Sequence, residues 1–194
     1  MVAMTDTRTV LPDDRPLTID DLDLLPDDGN KYELDDGLLV VSPAPANIHQ
    51  LVLHRLSVTL AGACPATFLI LPGPGLEISR TQYRVPDLAV VHADDFEADG
   101  KSVTRTPVLA IEIASPSTAL YDRNRKKDVY ARHGIESYWI VTPRLDKPAL
   151  TAFELSRGEY QVVAEVSGDD TFRAAKPFAC DVVPADLVAG PWQA

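Results

Sequence analysis

The sequence predicts an α/β (α+β) fold, a mixed β-sheet core flanked by helices, and three observations carry that expectation. Hairpin signals and helical periods alternate along the 194 residues, so antiparallel and crossover connections both belong to the sheet. The run Val108–Ala114 is apolar but for Glu112, the pattern of a central strand covered on both faces. Hydrophobic residues make up 45% and charged residues 24%, which supplies enough apolar material for a core and argues against general disorder. The length suits one domain, expected over residues 17–190, and is equally compatible with a dimer.

Residues 1–16 carry Pro12 and Pro16 among Asp and Arg without an apolar period, and read as a flexible tail. Thr18-Ile-Asp-Asp21 has the form of a capping box, with Asp in place of Glu, and opens a short helix that Pro26 closes. Next, Lys31–Leu34 and Leu38–Val41 flank Asp35-Asp-Gly37, a hairpin because Asp-Gly supplies the positive φ of a tight turn. Leu51, Val52, Leu56, Val58 and Leu60 predict a helix from about Asn47 to Cys64 with one buried stripe. Strands are expected at Thr67–Leu71, Leu76–Ser79 and Tyr83–His92, between Gly, Pro and polar turn residues. After Val108–Ala114, Ser115 caps a helix that runs to His133 and stops at Gly134. Glu136–Thr142, Leu150–Leu155 and Tyr160–Val166 complete the strands.

Charge and composition narrow the function classes. No run approaches the roughly 18 apolar residues that span a bilayer, and the acidic start is unlike a secretory signal, so a cytoplasmic protein is expected. Cys64 and Cys180 lack any metal-ligand spacing, which leaves a zinc site or a disulfide framework unsupported. No Gly-x-Ser-x-Gly elbow occurs and neither Cys has an activating context, which removes a serine or cysteine hydrolase. The net charge of −11 opposes a nucleic-acid partner, since phosphate binding draws on basic surface. Its distribution softens the objection. Residues 1–40 hold eleven acids against three bases, whereas residues 101–147 hold nine bases against five acids.

Two carboxylates stand in apolar surroundings. Asp87 lies in Val85-Pro-Asp-Leu-Ala-Val-Val91 and Glu112 in Leu109-Ala-Ile-Glu-Ile-Ala114. An ionised carboxylate is tolerated there mainly when a cation, an ion pair or a hydrogen-bond donor compensates it. Alone, Asp87 reads equally well as the cap of a turn. Together, on paired strands, the two present the oxygen ligands that a hard cation such as Mg²⁺ or Mn²⁺ prefers. In the following helix Asp122, Lys126 and Tyr130 are four apart and share one face, so Lys126 can point back at the strand ends. An ammonium there can neutralise charge developing at a phosphodiester under attack. Arg123, Arg125 and Lys127 read first as a solvated basic face that can also touch phosphate.

These residues carry a resemblance. Tyr-Glu-Leu-x-Asp-Gly at 32–37, Ser42-Pro, His49, Val85-Pro-Asp87, Glu112-Ile-Ala-Ser-Pro-Ser-Thr118, Asp122-Arg, Lys126-x-x-x-Tyr130-Ala and Gly134-Ile-x-Ser-Tyr-Trp139 together resemble the Uma-two family of putative restriction endonucleases, within the PD-(D/E)XK nuclease superfamily. The match runs from about Thr18 to Val163. It implies a restriction-endonuclease-like core and a nuclease acting on nucleic acid, DNA before RNA. Asp87 and Glu112 would be its metal ligands, the Ile113 carbonyl a further one, and Lys126 the assisting side chain. One departure matters: the superfamily lysine would fall two residues after Glu112, where this chain has Ala114, so Lys126 in the next helix takes that place. Glu33 matches an acidic residue of the family's first motif and is either a third site carboxylate or an exposed hairpin charge. Arg123, Arg125, Lys127 and Tyr130 are the expected nucleic-acid contacts, and a homodimer is the family-based expectation. His49 matches too, but a lone His near a helix start is more often a structural donor than a base. The competing reading is a module that binds nucleic acid or protein on the same fold without turnover.

Overall fold

The computed structural model describes residues 11–114 and 121–193, apart from the side chains of Tyr121, Asp122, Arg123 and Gln193. The expected cap at Ser115, the helix start after it and the side chain of Arg123 therefore lie outside the described residues, as does most of the N-terminal tail. The chain divides into two compact units, one formed by Met1–Ala44 with Glu77–Val85 and the other by Pro45–Leu76 with Pro86–Ala194.

The first unit is built from a capped helical turn and a small antiparallel sheet. Helix α1 (Ile19–Leu22) starts as the Thr18/Asp21 pattern predicts, with the Thr18 N–H donating to Asp21 Oδ2 at 2.7 Å. Arg15 clamps the same carboxylate, 2.7 and 2.8 Å to its two oxygens, and this pair with the Thr18 N–H holds Asp21 well below the usual carboxylate range. Strands β1 (Lys31–Asp35) and β2 (Leu38–Ser42) pair through Asp36 and Gly37, at φ 52° and 82°, the double positive φ of a two-residue hairpin turn. With β4 (Leu76–Ser79) and β5 (Gln82–Arg84) they form a sheet of order β2-β1-β5-β4. Inside it Arg84 donates to Asp35 Oδ1 at 2.6 Å and to the Leu34 carbonyl at 3.1 Å, and Gln82 donates to the same Asp35 oxygen at 3.2 Å.

The second unit holds the larger sheet, of order β10-β9-β8-β7-β6-β3. Its strands are β3 (Phe68–Pro72), β6 (Leu88–His92), β7 (Leu109–Ile113), β8 (Ser137–Thr142), β9 (Ala149–Ser156) and β10 (Glu159–Ser167). All neighbours are antiparallel except β7 and β8, whose parallel pairing requires a crossover, and helix α3 (Tyr121–His133) lies in that connection. Gly134, at φ 82°, ends α3 in the left-handed conformation that glycine adopts without strain. Helix α2 (Asn47–Ala63) buries Val52, Leu56 and Leu60 against Leu109, Ile111, Trp139 and Val141. Each such side chain contributes about 1.5–3 kcal/mol by leaving water. Val58 of the expected stripe is 58% exposed, because it sits two residues from Leu56 and Leu60 and so on the opposite side of the helix.

Two further differences follow from local chemistry. The expected strand Tyr83–His92 is two strands in two sheets, β5 and β6, interrupted where Pro86 has no N–H to offer a ladder. Beyond Val166, β11 (Phe172–Ala174), β12 (Cys180–Val182) and helix α4 (Pro184–Val188) are too short to have shown a period in the sequence. Cys180 is buried and burial pushes its thiol up to about 11, so it behaves as a small core residue; Cys64, half-buried, is not disulfide-bonded. Among the described residues no helix is long and apolar enough to cross a membrane.

Candidate active site

Four elements of the second unit bring polar side chains together: the segment before β6, the end of β7, the middle of α3 and the start of α2. The ladder between β6 and β7 sets Leu88 across from Ile111. Asp87, in the bend just before it, extends that junction with its side chain: Oδ2 accepts the Ile113 N–H at 2.7 Å, a fully buried contact. Asp87 is 5% exposed, and the peptide it holds is the one that follows Glu112. The two carboxylates are thereby coupled through one strand end.

Glu112 faces α3 because strand alternation sends Leu109, Ile111 and Ile113 the other way, into the core under α2. Lys126 Nζ lies 3.1 Å from each Glu112 oxygen, and the Tyr130 hydroxyl donates to Glu112 Oε1 at 2.7 Å. Lys126 and Tyr130 are one helical turn apart, so a single helix face delivers both donors. The side chains of Glu112 and Lys126 are only 13% and 16% exposed, where an unpaired charge costs several kcal/mol. The departure at Ala114 is thus geometrically compatible with the chain: the ammonium arrives from α3 instead of β7.

The remaining site expectations divide. Tyr130 was expected at the nucleic acid, yet it is fully buried, with its hydroxyl on Glu112 and its ring edge-on to Tyr138. Lys127 places its ammonium 4.1 Å from the centroid of the Phe153 ring, a cation–π contact that a wholly solvated lysine does not make. Arg125 is half-buried. Glu33 belongs to the first unit, where it is buried and its Oε1 accepts the Val85 N–H at 2.8 Å, so it is not the exposed hairpin charge that one of its two readings offered.

One further residue meets Asp87. His49, near the start of α2, brings Nε2 to 3.1 Å from Asp87 Oδ2, while its Nδ1 is buried with no hydrogen-bond partner. No spacing in the sequence ties position 49 to position 87. The only signal was its place in the family-like motif series.

The donor chemistry can be tested against a divalent cation. Mg²⁺ takes hard oxygen ligands and usually uses one or two protein carboxylates while keeping several waters. Asp87 and Glu112 are two such carboxylates, largely buried and joined through one strand end, and the counter-charge at Glu112 is a compact ammonium. The residues fit. Among the described residues no group of three or more His, Cys, Asp or Glu side chains is assembled to hold a metal.

Fold and site together define a class: a mixed sheet flanked by helices, with a paired acid and base at the end of its parallel strand pair. A family model described as "Uma2: Putative restriction endonuclease" matches residues 19–184. The chain belongs to that family. A crystal structure of a putative nuclease of the DUF820 family from Anabaena variabilis superposes with a TM-score of 0.70 over 89% of this chain and 98% of that one, at 18% identity. That likeness establishes the restriction-endonuclease-like fold. No curated protein matches the chain.

Proposed function

We propose that the protein is a metal-dependent endonuclease hydrolysing phosphodiester bonds of nucleic acid, DNA in the first instance. The observation that carries this reading is the Asp87–Ile113–Glu112–Lys126 cluster: two near-buried carboxylates coupled through one peptide, with an ammonium on the second. The family description and the putative nuclease that shares the fold support it. Asp87, Glu112 and the Ile113 carbonyl would hold Mg²⁺ or Mn²⁺, which when bound supplies Lewis acidity at the scissile phosphate and an activated water. Tyr130 fixes the rotamer of Glu112 by its 2.7 Å hydrogen bond. Lys126 holds its charge beside Glu112, where it can stabilise negative charge that grows on a phosphate oxygen in the transition state. Arg125, with Arg123, is assigned to the substrate backbone. Cutting both strands of a duplex needs two such sites, which a homodimer would provide.

The decisive experiment is a cleavage assay over supercoiled, linear and single-stranded DNA and over RNA, with Mg²⁺ or Mn²⁺ and with EDTA. Metal-dependent cleavage by the wild type that disappears in Glu112→Ala supports the reading. Absence of cleavage on every substrate, with nucleic acid still bound, favours a binding module on the same fold. One observation leans that way: the Lys126 ammonium lies 3.1 Å from both Glu112 oxygens, where it competes with a cation for them.

A further inference from the structure

We infer that His49 is a positioning residue for Asp87, setting the orientation in which that carboxylate meets a divalent cation. The inference rests on the metal-dependent reading above and deepens it. Asp87 Oδ2 is approached by two nitrogens from different elements, the Ile113 N–H of β7 at 2.7 Å and His49 Nε2 of α2 at 3.1 Å. A carboxylate gripped on one oxygen from two directions cannot rotate about its terminal bond without losing one of them. That restraint is what a ligand needs if its remaining lone pairs are to meet a cation in a narrow range of directions. Ligating carboxylates are commonly held in this way, and removing such a support typically costs about 10- to 100-fold in metal affinity.

The other face of the imidazole argues that this contact is why the residue is there. Buried polar side-chain atoms almost always find a partner, yet His49 Nδ1 is buried without one. A side chain that only filled this space would be better apolar and of similar size, which leaves no orphaned nitrogen. The imidazole forgoes one hydrogen bond and directs Nε2 at Asp87. Its side chain is 13% exposed and that of Asp87 is 6% exposed, so water has little room to substitute for it.

The test uses the whole protein and Mn²⁺ as the probe, with binding read by electron paramagnetic resonance and folding by thermal melting. His49→Gln places an amide nitrogen where Nε2 lies, whereas His49→Asn reaches only as far as Nδ1. Wild type and His49→Gln are expected to bind Mn²⁺ within a few-fold of each other, with His49→Asn and His49→Ala weaker by about 10- to 100-fold, all four melting as folded proteins. A space-filling role would instead move the Asn and Gln variants together. Equal Mn²⁺ binding by wild type, His49→Asn and Asp87-intact His49→Ala overturns the inference while leaving the metal reading standing. Direct ¹⁴N coupling to the bound Mn²⁺ that vanishes in His49→Ala also overturns it, because His49 is then a ligand. If Asp87→Ala and Glu112→Ala bind Mn²⁺ as the wild type does, or the wild type binds none, the metal reading itself falls and the inference with it. Where His49→Ala does not fold, the Gln and Asn pair decides alone.

Discussion

Two acid–base pairs, one in each unit, look alike in the sequence and are built for different ends. In the first unit Asp35 meets the Arg84 guanidinium, which also bonds the Leu34 carbonyl, while Gln82 adds a second donor to the same carboxylate. Arg84 is 3% exposed, and these partners are neighbours in the small sheet. In the second unit Glu112 meets the Lys126 ammonium and the Tyr130 hydroxyl. A guanidinium is a rigid fork that is always charged, and here its two terminal nitrogens are engaged by the Leu34 carbonyl and Asp35. An ammonium is a compact point charge on a flexible stem, which can turn from one oxygen to another. The difference teaches that burial and pairing do not by themselves mark a site.

The sharpest way to break this contrast is to remove the carboxylates of the second pair. Asp87→Ala and Glu112→Ala are each expected to abolish Mn²⁺ binding and cleavage together, since a hard-cation site depends on ligand charge. Titration calorimetry beside the cleavage assay checks it, and cleavage surviving in either variant would end the two-carboxylate assignment.

The next largest effect belongs to the first pair. Arg84→Met leaves Asp35 buried without its counter-charge and should cost about 3–5 kcal/mol of stability, read as a lowered urea midpoint. Lys126→Met is the matched change in the second unit. It should lower cleavage by about 100-fold, the scale of losing one transition-state stabiliser, while costing less stability than Arg84→Met because Tyr130 still serves Glu112. Equal stability losses for the two methionine variants would erase the distinction drawn between the pairs.

The smallest effect sharpens the comparison with a third pair, in which an exposed arginine covers a buried carboxylate. Asp21 is held below its ordinary value of 3.8, chiefly by Arg15 and then by the Thr18 N–H. A depressed carboxylate contributes stability that is present above 3.8 and lost as pH falls through its lower folded value. Asp21→Asn should therefore melt a few degrees lower than wild type at neutral pH, with the gap closing below pH 4. A gap that persists in strong acid would show that shape, and not charge, makes the cap.

Much of the fold was legible because its signals are local. The Thr18/Asp21 cap, the Asp36-Gly37 turn, the 52–56–60 stripe of α2 and the Gly134 stop each depend on residues within a few positions of one another. The pairing of Lys126 and Tyr130 on one face was legible for the same reason, being a matter of helical spacing. Less was legible where long-range contacts decide. The expected Tyr83–His92 strand is split between two sheets because strand partners far along the chain, β1 for one part and β3 and β7 for the other, pair with it on either side of Pro86.

By itself the sequence determined the residue chemistry: two carboxylates in apolar strands, a basic helix after the second, an acidic first segment and a basic middle one. Backbone periodicity then settled which of these share a face. Only the tertiary structure decided that Asp87 grips the Ile113 peptide, that His49 comes to Asp87 from a helix 38 positions earlier, that Tyr130 is buried beneath Glu112 and that Lys127 lies over Phe153. The reason is physical. Side-chain type and spacing within one element follow from bonded geometry, whereas contacts between elements follow from how sheet and helices pack to bury their apolar faces, and that packing is not written at any single position.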